Sequence, residues 1–390
     1  MKNFNVNRFN CKKIELGESP ITLVKETYPE IMIQDGYLVD AFGKRMGTKG
    51  DMYTKKIMDM ILEKGCLDHH PRPYYEDFYE EASYHNGILF TKDNQEITIG
   101  ENEKIKFQKK GITVFVPAHT ISLNQGVECT YDLSKGESPM ITLRPIAVKS
   151  AIAEVLWIYQ KQSNDLVEFD TLLGKNTWEE KGVISNWWEE WAIRNRDGSY
   201  ALNEEGHPHI GACYGGTTSK RNMIYQEVIE QIRSNPDGRR NITSLWQMDD
   251  FENPHALKPC AFMTIWNVRH DWDGIDYLDM TLLQRSSDFA TAGCINQVQY
   301  VALQKMIAKE LGYVPGTFTW KPINIQLYDR HLDQAIEMLN RDPILCNAEI
   351  TLKEGKEHFE EFDSSDIIIS DYPREYVKTK NPQLKFPLGI

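Results

Sequence analysis

The sequence predicts a mixed α/β domain built on one large sheet, and three observations carry that prediction. Alternating or continuously apolar runs at 241–246, 261–268, 277–284 and 323–328 read as strands. A long amphipathic or buried helix, Val298 to Leu311, lies between the last two runs. The chain has 390 residues, 41% of them hydrophobic, which is ample to cover such a sheet in one large domain or two.

The remaining elements follow in chain order. Residues 1 to about 50 mix short apolar runs with Gly and Pro and read as an N-terminal extension to a main domain over 51–390. A helix is expected over Asp51–Lys64, with Met52, Ile57, Met58, Met60 and Ile61 as its apolar positions and Gly65 as its stop. Residues 66–112 read as polar and irregular; Ile112–Pro117 then reads as a strand, and Met140–Leu143 as another. Lys149–Gln160 reads as a buried helix, with Ile152, Val155, Leu156 and Tyr159 at helical spacing. Glu154 sits inside it, and an acid there is costly unless it is paired or functional. After the aromatic Trp187–Trp191 segment, a helix near Asn222–Ile232 ends at the turn sequence Ser234-Asn-Pro-Asp-Gly238.

Net charge is −13, which disfavours a general nucleic-acid or anionic-membrane binder, because those need broad basic surfaces. No apolar run reaches membrane-spanning length, and Met1-Lys2-Asn3-Phe4-Asn5 has no apolar stretch like a signal peptide. A cytoplasmic location is expected. The seven cysteines are scattered and form no Cys-x-x-Cys pair, so neither a metal site nor a disulfide framework is expected.

One cysteine stands out by its neighbours. Pro259-Cys260 is followed by Gln284-Arg285-Ser286-Ser287-Asp288 and then by Asn296. A thiol is a useful nucleophile as its thiolate, and nearby guanidinium groups are expected to lower its pKa. An Arg-Ser pair suits a phosphate, through a charged fork plus a hydroxyl. An Asn amide offers a donor beside an acceptor, as a pyrimidine edge requires. Nucleophile, phosphate grip and base reader together suggest chemistry on a pyrimidine nucleotide.

These residues carry a resemblance. Ala153-Glu154-Val-Leu-Trp157, Trp188-Glu-Glu-Trp191, Tyr214-Gly215, Asp237-Gly-Arg-Arg240, Pro259-Cys260, Gln284–Asp288, Asn296, Tyr328 with His331, and the ending Leu384–Ile390 occur in an order that resembles the thymidylate synthase superfamily. The resemblance runs from about residue 140 to the C-terminus and continues weakly back to 51–64. It implies a three-layer α/β (α+β) domain on one large mixed sheet, with an insertion near 73–110. It also implies 5,10-methylenetetrahydrofolate as co-substrate, dUMP as substrate, and an obligate homodimer.

The roles it implies are these. Cys260 adds to C6 of the pyrimidine, and C5 then attacks the one-carbon unit. Glu154 organises water and moves protons at O4 and C5, and Tyr214 polarises a catalytic water. Arg285 and Ser286 hold the 5′-phosphate, Arg239 and Arg240 reach it from the neighbouring subunit, and Arg72 is a further phosphate candidate. Asn296 reads uracil, and Tyr328 touches the sugar 3′-hydroxyl, with Gln326 beside it. Asp288 binds the pterin, Trp188 and Trp191 line its pocket, and the tail ending at Ile390 closes over the ligands.

The sequence departs from the pattern at Ala261 and Gln326, both usually histidine, and in the loop after Asp288. These departures suggest a different end to the reaction, with the intermediate quenched by water. The expectation is therefore a deoxyuridylate hydroxymethylase, most like the phage enzymes, giving 5-hydroxymethyl-dUMP. The alternative is a thymidylate synthase making dTMP and dihydrofolate. A cytidylate hydroxymethylase fits Asn296 less well, and a non-enzymatic nucleotide- or RNA-binding homologue fits the acidic charge and the joint presence of Cys260, Glu154, Arg285, Asp288 and Asn296 less well still.

Overall fold

The computed structural model describes residue 28 and residues 30–68, 73–124, 126–251 and 257–389. Seven strands form the main sheet: β1 (Cys66–Leu67), β2 (Thr120–Leu123), β3 (Cys129–Asp132), β4 (Ile242–Ser244), β5 (Ala261–His270), β6 (Asp276–Asp288) and β7 (Val314–Tyr328). Their order is β4-β5-β6-β7-β2-β1, with β3 pairing farther along β7. β6 and β7 run parallel, whereas β4–β5, β5–β6, β7–β2, β2–β1 and β3–β7 are antiparallel. The sheet is mixed, as the sequence predicts.

A parallel pair needs a crossover, and the helix between β6 and β7 supplies it. Five helices matter here: α1 (Lys49–Lys64), α2 (Val148–Tyr159), α3 (Gly215–Arg221), α4 (Cys294–Leu311) and α5 (Leu332–Asn340). α4 packs on β6 and β7, and α2 packs against α4. Val298, Val301, Leu303, Met306 and Ile307 of α4 are buried, as are Leu278, Met280 and Leu282 of β6 and Phe318, Trp320 and Ile325 of β7. Burial all round explains why α4 shows little amphipathic pattern. Tyr159 and Tyr300 join α2 to α4 through their hydroxyls at 3.0 Å.

Several local expectations are corrected. The described residues of 66–112 are not irregular. Tyr74–Glu80, Lys104–Gln108 and Gly111–Pro117 form one three-stranded antiparallel sheet, and Ser83–His85, Ile88–Phe90 and Glu96–Thr98 form another. Between them lies a small core of Leu89, Ile112, Val114 and Val116, the last three on the strand that the sequence shows at Ile112–Pro117. This unit is anchored beside β7. The Tyr75 hydroxyl donates to Asp329 at 2.6 Å, and Arg330 makes a bidentate pair with Asp77 at 2.7 and 2.7 Å.

Met140–Leu143 is buried but is not a strand. Its backbone groups are met by side chains, so no ladder is needed. Thr142 N–H donates to the buried Asp51 carboxylate at 2.6 Å, and Met140 C=O accepts from Thr48 Oγ1 at 2.6 Å. Asp51 also closes the capping box with Thr48 at the start of α1, which begins two residues earlier than the sequence suggests. The helix near 222–232 carries a π-helical turn at Tyr225–Ile229. Ahead of α1, Ile33–Gln34, Tyr37–Val39 and Arg45–Met46 form a small sheet within the expected N-terminal extension.

Candidate active site

The site forms where the C-terminal ends of β6 and β7 meet the start of β5 and the first turns of α4. Cys260 immediately precedes β5, and Ala261 pairs with Gln284 at a bulge between Ala261 and Met263. Arg285 N–H donates to Cys260 C=O at 2.8 Å, which ties the cysteine to β6. The guanidinium reaches back, donating from Nε to Pro259 C=O at 2.8 Å and from Nη2 to Lys258 C=O at 2.7 Å. It makes no ion pair among the described residues, so its charge is uncompensated by any described carboxylate.

Cys260 is half-buried as a residue. Burial pushes its pKa up, Arg285 pulls it down, and burial wins. The expectation of a lowered thiol pKa is therefore corrected: at rest the thiol holds its proton. Cys260 N–H donates to the Tyr214 hydroxyl at 3.1 Å. Tyr214 sits at φ +49°, a left-handed conformation that favours glycine and that neighbouring packing must hold. The next residue has to be glycine, because a Cβ on Gly215 would lie 1.6 Å from Ser163 C=O.

Glu154, on α2, is held from two sides. Trp188 Nε1 donates to Oε1 at 3.0 Å, and Gln299 Nε2 donates to Oε2 at 2.8 Å. Burial raises the carboxyl to about 7, against the pull of its Trp188, Gln299 and Trp187 donors. A carboxyl near neutrality can both hold and release a proton, as acid–base work requires. Trp188 itself is buried, and its ring packs at 4.9 Å from Tyr214 and 5.6 Å from Trp191. The structure thus places Trp188 as support for Glu154, with Trp191 more exposed.

Asn296 lies in the first turn of α4, with Nδ2 donating to Gln299 Oε1 at 3.0 Å and Oδ1 accepting from Gln284 Nε2 at 3.1 Å. Ser286 and Gln326 face each other from β6 and β7, Gln326 Nε2 standing 3.2 Å from Ser286 Oγ. Asp288 is the last residue of β6, and its buried Oδ1 has no hydrogen-bond partner among the described residues. That oxygen fits a ligand N–H donor such as a pterin carries. His331 Nδ1 lies 3.4 Å from it, and His331 Nε2 donates to Pro387 C=O in the C-terminal tail at 2.6 Å. Tyr328 is buried between Tyr75 and His331.

Not every expected residue joins this cluster. Arg239 and Arg240 are exposed on the turn before the edge strand β4. Arg72 and Ile390 lie outside the described residues. Two residues that the sequence left without roles are prominent: Gln299, which touches both Asn296 and Glu154, and His331, which joins Asp288 to the tail. The signal for Gln299 was present, since it lies three residues after Asn296 and so on the same helix face.

The sheet thus brings together a thiol at the head of β5, an acid, an amide and a guanidinium, groups that suit covalent chemistry through a cysteine. The sequence profile of the thymidylate synthase family matches residues 105–384. Thymidylate synthase of Streptococcus agalactiae serotype Ia is 41% identical over 268 residues, covering 68% of this chain and 85% of that protein. Thymidylate synthase of Streptococcus pneumoniae (strain ATCC 700669 / Spain 23F-1) is 36% identical over 345 residues, 88% of this chain and 100% of that protein. The solved structure of thermostable thymidylate synthase A from Bacillus subtilis shares the fold, with a TM-score of 0.62 at 24% identity over 87% of this chain and 99% of that one. The chain belongs to the thymidylate synthase family, whose co-substrate is 5,10-methylenetetrahydrofolate.

These relatives overturn the expectation of a deoxyuridylate hydroxymethylase, since each is a thymidylate synthase. Both departures are accommodated by their neighbours: Ala261 is buried with its C=O 3.4 Å from the Tyr300 hydroxyl, and the Gln326 amide meets the Ser286 hydroxyl. Among the described residues there is no cluster of acids, histidines and cysteines that could hold a metal ion, and no helix long and apolar enough to cross a membrane.

Proposed function

We propose that this protein converts dUMP to dTMP, taking both the one-carbon unit and the hydride from 5,10-methylenetetrahydrofolate and releasing dihydrofolate. The observation that carries the reading is two neighbouring hydrogen-bonded groups at the start of β5, the end of β6 and the first turns of α4: Arg285 with Cys260, and Asn296 with Glu154 of α2 through Gln299. Cys260 adds to C6 of the uracil, which makes C5 nucleophilic. Its thiol must first lose its proton, and the Arg285 guanidinium favours that loss. Glu154, near neutrality, exchanges protons with O4 and C5. Tyr214 holds the backbone beneath the thiol and presents its hydroxyl to water.

Arg285 and Ser286 grip the 5′-phosphate, Tyr328 and Gln326 border the sugar, and Asp288 binds the pterin with Trp191 alongside. Arg72 is a further phosphate ligand in this reading. The tail that His331 holds, running on to Ile390, is the lid that excludes solvent. Arg239 and Arg240 serve the site of a second copy in a homodimer, for which their exposure beside an edge strand is suited. Residues 51–390 form the catalytic domain in this reading, with 1–50 an extension and 73–110 an insertion. A cytoplasmic setting suits the free cysteines at 66, 129, 213, 260, 294 and 346.

The test is incubation with dUMP and methylenetetrahydrofolate, followed by mass analysis of the nucleotide and absorbance of dihydrofolate. Equal amounts of dTMP and dihydrofolate are expected. A hydroxymethyl product without dihydrofolate sinks the reading. Cys260→Ala should remove both turnover and the covalent complex with 5-fluoro-dUMP.

A further inference from the structure

Asn296 and Glu154 have separate tasks, yet one side chain spans them. Gln299 is 4% exposed on α4, accepting from Asn296 at Oε1 and donating to Glu154 from Nε2. The connection extends at both ends. Gln284, 1% exposed, donates from Nε2 to Asn296 Oδ1 and to Ser286 C=O, while its Oε1 accepts from Trp320 Nε1 at 2.9 Å. At the other end Glu154 Oε1 accepts from Trp188 Nε1.

Both terminal groups are indole N–H groups, which only donate. The polarity of every amide between them follows. Trp320 requires the oxygen of Gln284, so Gln284 offers its nitrogen to Asn296 Oδ1. Asn296 then turns Nδ2 to Gln299 Oε1, and Gln299 Nε2 is left to face the carboxylate. Reversing any one amide sets donor against donor or acceptor against acceptor at both of its contacts, and such buried mismatches are costly.

We propose that Gln299 is a positioning residue that locks Asn296 in its uracil-reading orientation and couples that orientation to Glu154. The inference rests on the dUMP reading above and deepens it. In the locked orientation Asn296 has one N–H and one lone pair left over, side by side. They match O4 and N3–H of uracil; cytosine, with an amine at C4 and a bare N3, needs the flipped amide. Choice of pyrimidine is then only as strong as the bonds that prevent the flip. The titratable groups facing Glu154 are Tyr214 and Tyr300, with Cys260 beyond Tyr214. Burial holds both phenols protonated far above neutrality, so Glu154 is the carboxyl of this cluster that titrates near pH 7.

The experiment compares full-length wild type with Gln299→Met and Gln299→Glu. It measures kcat and KM for dUMP, and dUMP and dCMP dissociation constants, across roughly pH 5.5 to 9, with thermal melts to verify folding. Gln299→Met keeps volume but removes both bonds. It should lower the dUMP-over-dCMP preference at least about tenfold, the effect of one hydrogen bond of about 1.4 kcal/mol, and shift the Glu154 limb of kcat upward. Gln299→Glu keeps the acceptor toward Asn296 but puts an acid against Glu154. It should keep the preference while shifting the same limb upward by about one unit.

Split behaviour of this kind is not expected of a packing residue. Unchanged preference and limb in Gln299→Met, or equal losses on both nucleotides in both variants with no shift, overturn the proposal. Should the wild type fail to make dTMP, the functional reading falls, and the dissociation constants still test Gln299.

Discussion

Glu154→Gln separates the charge of a buried carboxyl from its shape. The folded carboxyl titrates at about 7 and the ordinary value is 4.5. An acid with a raised pKa favours folding while neutral, so its contribution is full below about 4.5 and is lost as pH rises toward 7. At 1.36 kcal/mol per unit, the loss between about pH 5 and 8 is about 2.5 kcal/mol. The glutamine variant does not titrate. Its NH₂ must face a donor from Trp188 or Gln299, a mismatch that costs about 1–3 kcal/mol at every pH. The variant should therefore melt below wild type near pH 5, and the gap should close on going to about pH 8. With a melting entropy of about 2.1 cal/mol/K per residue, 2.5 kcal/mol over this chain is about 3 °C. Calorimetric melting of the ligand-free protein at both pH values reads the change directly. A gap that stays constant to within about 1 °C refutes the raised carboxyl. The same variant should lose about 10²–10⁴-fold in kcat if Glu154 moves a proton.

Two further outcomes are expected. Burial alone would lower the His331 pKa, but Asp288 and Pro387 C=O outweigh it and the net value is raised above 6.5. Its stabilising charge is thus present below 6.5 and lost as pH rises through the folded value; KM for methylenetetrahydrofolate should climb over that range in wild type and stay flat in His331→Gln. At low pH that variant should have a KM roughly 5–30-fold higher, for a tail docked about 1–2 kcal/mol less firmly, and an unchanged KM excludes a latch at His331. Arg239→Ala,Arg240→Ala and Cys260→Ala are each expected to be inactive alone. If the arginines serve the other subunit, mixing the two variants should restore about a quarter of wild-type activity, whereas no recovery in verified mixed dimers refutes that role.

How much was legible varied by element. α2 and α4 were readable because each is a long apolar segment whose pattern is local, and Tyr277–Gln284 was readable because every second side chain of β6 is buried. In the unit at 74–117 the strand at Ile112–Pro117 was readable and the others were not, because they are short or charged and are covered on one side by a core of few residues. Met140–Leu143 has the composition of a strand, but Asp51, some 91 residues away, satisfies its Thr142 amide. Ala261 and Gln326 invited a change of reaction when read as isolated substitutions. Seen among their neighbours, one is a buried methyl and the other an engaged amide.

The sequence by itself determined the family and the large mixed sheet, and it singled out Cys260, Glu154, Arg285 and Asn296 as a set, because motif order and apolar periodicity are properties of residues near one another in the chain. The tertiary structure decided what state those groups are in. Whether Cys260 keeps its proton depends on burial outweighing Arg285, and no spacing reports that balance. The orientation of the Asn296 amide is set through Gln284 by Trp320, and Gln299 reaches Glu154 across 145 residues of sequence. Hydrogen-bond polarity and desolvation belong to whatever surrounds an atom, and only the folded chain brings those surroundings together.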